Sequence, residues 1–273
     1  MGQDRRTGRG RGGYRLVASD LDGTLLGPDG EVSARTRAVL RRLGEAGITV
    51  VVVTGRPPRW IRGLLDDDVV HELVICANGA VVYDPGAGRV VTTDPLPAAV
   101  AARLVARLRE RAPGVTFAVE TGEELRCELQ HPLHGGGPGG TGDALDLVRG
   151  PVCKLIAHAP DGRVEALHAL AVELAGEEAV ATVSGFELVE ISAAGVTKAF
   201  ALERLCGELG VAAAEVIAFG DMPNDLPMLA WAGHGVAVGN AHPAVLARAD
   251  EVAASNADDG VAEVLERLLP AAR

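Results

Sequence analysis

The chain has 273 residues, 48% of them apolar and 23% charged, which is enough to bury a sizeable core and too apolar for disorder throughout. A net charge of −11 argues against a broad nucleic-acid surface, and no apolar run approaches the roughly 18 residues of a membrane span. The four cysteines, Cys76, Cys127, Cys153 and Cys206, and the seven histidines show no metal-type spacing, so the thiols read as free cysteines of a reducing, cytoplasmic protein.

Residues 1–13 are rich in arginine and glycine without a hydrophobic pattern, which predicts a flexible arm with no signal-peptide core. The first strand is expected at 15–19. A helix follows in "SARTRAVLRRLGEAG", with Ser33 as N-cap and Gly47 as stop. "ITVVVVTGR" is a β-branched run typical of a strand buried on both faces. Pro57 and Pro58 open a short helix to about Leu65, and "ELVICANGA" is a third strand. This alternation predicts a Rossmann-like parallel sheet.

After residue 80 the rhythm changes. A hairpin flanks Pro85–Gly88, a helix spans "LPAAVAARLVARLRERA", and strands are expected in "GVTFAVE", "EELRCEL" and "VCKLIAHA". A glycine-rich loop covers about 131–143, a helix "DGRVEALHALAVELAG", and one or two strands "AVATVSGFELVEIS". From 196 helices and strands alternate again to the end. The expected fold class is therefore α/β: a parallel-sheet core of residues 14–83 and 185–273, with an α+β unit of residues 84–184 inserted into it.

Ligands of open parallel sheets bind beyond the carboxyl ends of the strands. Those ends carry Asp20 and Asp22, then Thr54-Gly55-Arg56, then Asn78-Gly79, and finally Asp221 with Asn224 and Asp225. Acids gathered on one rim need a cation, and an oxygen-only set points to a hard divalent ion, Mg2+ ahead of Zn2+. A lone DxDG is more often a polar turn than a site. A calcium loop starting at Asp20 fails at its sixth position, where Leu25 stands in place of glycine. Of the 26 basic residues only Lys154 and Lys198 are lysines, which singles out Lys198 beside the acids.

"DLDGT", "VVTGR", "GVTKAFAL" and "GDMPNDLPML" resemble, in order, the four motifs of the haloacid dehalogenase-like phosphohydrolases. "CANGA", "GVAVGNAHPAV" and "DDGVAEVLE" look like the Cof-type branch, whose α/β cap of the type IIB kind is inserted after the third strand. Pro223 and Pro227, flanking Asn224-Asp225, are a small departure that leaves the acids in register.

The resemblance implies a Mg2+-dependent phosphatase acting on small phosphorylated metabolites through an aspartyl-phosphate. Asp20 would be the nucleophile and Asp22 the general acid and base, help worth about 10²–10⁴-fold. Leu21, Thr54, Gly55, Lys198 and Asn224 would bind phosphate or substrate. Asp20, Asp221 and the main-chain carbonyl of Asp22 would hold the metal, with Asp225 in support. The inserted unit would act as a lid that selects substrate; Arg126, Glu128, His131, His134 and Lys154 are the polar residues there without a fixed role. The expected partner is a small phosphorylated metabolite, with no nucleic acid or membrane, for a monomer or small homo-oligomer. A hexose phosphomutase-like transferase and a non-catalytic phospholigand-binding protein are the alternatives.

Overall fold

The computed structural model describes residues 13–61, 64, 73–137, 139–183 and 188–269. The expected arm lies almost wholly outside them. In chain order, β1 (Leu16–Ser19), α1 (Ala34–Glu45), β2 (Thr49–Val53), β3 (Val74–Cys76), β4 (Val81–Asp84) and β5 (Arg89–Thr93) come first. The middle of the chain forms α2 (Ala98–Arg111), β6 (Thr116–Glu120), β7 (Leu125–Cys127), α3 (Ala144–Leu147), β8 (Lys154–His158), α4 (Val164–Ala175), β9 (Ala179–Val183) and β10 (Val189–Ala193). The last part contributes α5 (Lys198–Leu209), β11 (Val216–Gly220), α6 (Leu226–Trp231), β12 (His234–Ala237), α7 (Pro243–Leu246), β13 (Glu251–Val252) and α8 (Gly260–Glu266).

The described residues fall into two compact units. One lies within Met1–Arg56, Trp60–Arg89 and Thr197–Arg273, the other within Pro57–Arg59 and Val90–Val196. The first sheet runs β13-β12-β11-β1-β2-β3-β4-β5, parallel from β13 to β3, with β4 antiparallel to β3. Its central strands are buried from end to end, as expected of a sheet covered on both faces. Ser33 caps α1, its hydroxyl accepting from the Thr36 N–H at 3.0 Å. Gly47 follows the helix at φ +75°, a conformation glycine adopts without strain.

The second sheet runs β7-β6-β8-β10-β9 with antiparallel pairs throughout. Alternate residues separate its faces. Phe117, Val119, Leu155, Ala157, Val189 and Ile191 pack with α2, α3 and α4. Ala118, Leu125, Cys127, Ile156 and Leu188 form a smaller cluster on the other face.

Three sequence expectations need correction. Residues 188–196 fall in the core segment expected from 185, yet β10 pairs with β8 and β9 in the second sheet. Alternating burial marks β10 as a strand, but alternation cannot say which sheet a strand joins; the exact boundary at 184 lies outside the described residues. Asp84–Arg89 stays with the first unit, because the hairpin that begins at β4 belongs to the first sheet. The helix expected from Pro57 to about Leu65 is one 3₁₀ turn, Pro58–Trp60, with 62, 63 and 65 outside the described residues. The short α3, capped by the Asp143 side chain, has no counterpart in the sequence reading. No described helix is long and apolar enough to cross a membrane.

Candidate active site

The register of β1 against β11 pairs Ser19 with Phe219, so the two strands end level and release Asp20 and Asp221 side by side. The Asp20 N–H donates to the Phe219 carbonyl at 3.0 Å, which holds the first acid at the strand end. The carboxylates of Asp20, Asp221 and Asp225 bring one oxygen each within 4.8 Å of the others. All three are buried, at 5%, 7% and 0% exposure. Gly23 turns the chain at φ +76°, and a Cβ on it would lie 2.5 Å from Asp221 Oδ2. Only glycine allows so close an approach. The Thr24 hydroxyl donates to Asp221 Oδ1 at 3.0 Å.

Lys198 is the first residue of α5, whose N-cap is Thr197. Its ammonium is 2% exposed and donates to Asp20 Oδ1 and, at 2.6 Å, to Asp225 Oδ1. The other Asp225 oxygen accepts the main-chain N–H groups of Asp221 and Met222 at 3.1 and 3.0 Å. Asp225 is thus fully engaged with donors, while Asp20 and Asp221 face each other. Burial, followed by the neighbouring acids, raises the Asp20 carboxyl pKa against the pull of Lys198. Asp221 is raised by burial and by Asp225. Burial works against the Lys198 ammonium, but Asp20 and Asp225 outweigh it and raise its pKa. Three acids against one buried cation form a site with excess negative charge, and its all-oxygen donors fit a hard divalent ion.

Thr54 is fully buried and its hydroxyl accepts the Arg56 N–H at 3.0 Å. The turn after β3 packs against this one: Ala77 N–H donates to Arg56 O at 2.9 Å and Asn78 N–H to Thr54 O at 3.0 Å. Ala77 and Asn78 both sit in the left-handed region, at φ +50° and +57°, a strained conformation that surrounding structure must impose. It brings Asn78 Oδ1 to the Asn224 amide at 3.1 Å. Gly79 follows because a Cβ there would lie 2.2 Å from the Thr197 carbonyl, which would displace α5 and Lys198.

The structure therefore brings together Asp20, Thr54, Gly55, Lys198, Asp221, Asn224 and Asp225 on the expected rim. Leu21 lies in the same turn, but its side chain is fully buried, so only its main chain is available to a ligand. The Asp22 carboxylate is half-exposed and outside the acid cluster. It is held by Arg56, with Nε to Oδ2 at 2.8 Å and Nη2 to Oδ1 at 2.6 Å. Three residues without a role in the sequence reading also shape the site: Arg56, Asn78 and Asn240. The Asn240 amide donates to Gly23 O at 2.7 Å and its oxygen accepts the Asn256 N–H, tying the first acidic turn to the last loops. Each lies inside a motif that the sequence displays, which is the signal that could have found them.

Residues 17–265 match the model of the haloacid dehalogenase-like hydrolase family. An HMP-PP phosphatase of Serratia proteamaculans is 35% identical over 84% of this chain and 85% of its own. The 5-amino-6-(5-phospho-D-ribitylamino)uracil phosphatase YitU of Bacillus subtilis is 31% identical over 92% and 96%. Among solved structures, a haloacid dehalogenase-like hydrolase from Bacteroides thetaiotaomicron superposes with a TM-score of 0.79 at 28% identity, covering 94% of this chain and all of that one. The chain belongs to the haloacid dehalogenase-like hydrolase family. Within that family it is a phosphatase.

Proposed function

We propose that this cytoplasmic enzyme hydrolyses small phosphorylated metabolites, either sugar phosphates or phosphorylated cofactors and their precursors, by forming an aspartyl-phosphate on Asp20. The observation that carries the reading is a buried carboxylate at the end of β1, held by Lys198 and facing a second carboxylate just after β11. The relatives' printed names, one of them a phosphorylated ribitylamino-uracil, support a small phosphorylated substrate.

Asp20 attacks phosphorus as the ester oxygen leaves, and Asp22 gives that oxygen its proton. Water then cleaves the acyl phosphate while Asp22 takes up the water proton, which returns Asp20 to its carboxylate. Thr54, the Gly55 and Leu21 main chain and Lys198 surround the phosphoryl oxygens, where transition-state charge collects. Asn224, fixed by Asn78, meets the phosphate or the rest of the substrate. Asp225 orients Lys198. Asp20, Asp221 and the Asp22 carbonyl would hold Mg2+, which supplies positive charge that offsets the crowded carboxylates and the phosphate.

Phosphate release is measured with and without Mg2+ for wild type and Asp20→Asn. Release that needs both the cation and Asp20 supports the proposal. Migration of phosphate between positions of a sugar with little free phosphate would replace it with a mutase, and binding without turnover with a ligand-binding protein.

A further inference from the structure

We propose that Arg56 is the positioning residue for Asp22, a role that rests on the acid–base reading of Asp22 above. Asp22 stands two residues after Asp20, in the turn Leu21–Leu25 that follows β1. Its own side chain is 53% exposed and Arg56 is 26% exposed. An aspartate on such a rim samples several rotamers in water, yet acid–base catalysis requires a fixed direction.

The Arg56 guanidinium supplies that direction. Its Nε and Nη2 grip the two carboxylate oxygens as a planar fork, at 2.8 and 2.6 Å, an arrangement that fixes the plane of the carboxyl group as a lysine cannot. A carboxylate offers about four lone-pair sites. The fork uses two and leaves the others open to a reacting group. Arg56 is itself anchored at both ends of its backbone. Its N–H donates to the Thr54 hydroxyl at 3.0 Å and its carbonyl accepts the Ala77 N–H at 2.9 Å. The turn that carries the phosphate-side threonine thus also sets the acid–base group. One rigid element keeps the two sides of the reacting phosphoryl group in register.

The test is a double-mutant cycle on a sugar phosphate, with kcat and KM measured for wild type, Arg56→Gln, Asp22→Asn and the double variant. Arg56→Gln is expected to lower kcat about 10–100-fold with KM within about threefold. In the Asp22→Asn background the same change is expected to cost less than about threefold, since a residue that acts through Asp22 has nothing left to position. Arg56→Lys keeps the charge without the fork and is expected to stay closer to Arg56→Gln than to wild type. Melting temperatures within a few degrees of wild type, as expected for an exposed pair, exclude a folding defect.

Losses that multiply in the double variant overturn the proposal. So does a raised KM with unchanged kcat, which would make Arg56 a substrate-binding group, and so does a fully active Arg56→Lys. The phosphatase reading fails separately, through an active Asp20→Asn, and the acid–base reading through an Asp22→Asn variant as fast as wild type.

Discussion

The two units bury charge in opposite ways. Among the described residues, the first unit buries Asp20, Asp221 and Asp225 against the single ammonium of Lys198. The second pairs buried Glu120 with Arg59 and buried Lys154 with Glu190, the latter at 2.6 Å. Glu120 and Lys154 are also register partners on β6 and β8. Its charges balance one to one, as expected of ion pairs that complete a fold. The first unit's do not: burial raises the carboxyl pKa of Asp20 and Asp221 there, as it raises that of Glu120 in the second unit, but three acids share one cation. The difference separates a closed structural cluster from one that, under the proposed function, would take a cation and a phosphoryl group from outside.

Four substitutions test that contrast. The largest effect belongs to Asp20→Asn, which is expected to lower phosphate release at least about 10⁴-fold with the fold intact by circular dichroism, because it would remove the proposed nucleophile. In the second unit Glu120→Gln leaves the Arg59 guanidinium without its buried counter-charge. Urea unfolding should show a loss of about 3 kcal/mol, whereas a neutral outcome would end the view of that cluster as structural.

A smaller effect separates the units by pH. His131 is 2% exposed and its Nδ1 accepts the Leu133 N–H at 3.1 Å. Burial first, and then the neighbouring His158, lower its pKa from 6.5 to about 4. The unfolded chain therefore binds the proton first as pH falls. Stability is lost between about pH 6.5 and 4, amounting to about 2 kcal/mol by pH 5. His131→Asn keeps an acceptor for Leu133 and should flatten that acid limb in denaturant titrations at pH 7 and 5.

The smallest change in stability has the opposite sign. Asp221→Asn relieves repulsion in the metal-free protein and should stabilise it by about 1 kcal/mol while abolishing turnover, a trade of stability for activity. Added Mg2+ should then raise the melting temperature of wild type and not of Asp221→Asn. A destabilised variant would mean that the acids are already balanced.

Much of this site could be read from the chain, since each acid or amide stands next to a recognisable strand end. Asp20 and Asp22 follow "RLVAS", Asp221 follows "VIAFG", and Lys198 is conspicuous in a chain whose other basic residues, Lys154 apart, are arginines. That same composition concealed Arg56, which looks like any other arginine until its fork is seen on Asp22. Asn78 was visible at a strand end, but its left-handed backbone and its bond to Asn224 depend on contact with the turn at Thr54–Arg56.

What the sequence alone determined was the alternation of elements, the order of the motifs and the oxygen character of the metal-type donors, because these depend on local periodicity and residue chemistry. Only the tertiary structure decided that Asp225 spends its oxygens on Lys198 and two N–H groups, that Asp22 turns to Arg56, and that β10 joins the second sheet. Each of those outcomes is set by a partner 27 or more residues away, or by a three-dimensional turn, where local pattern carries no information.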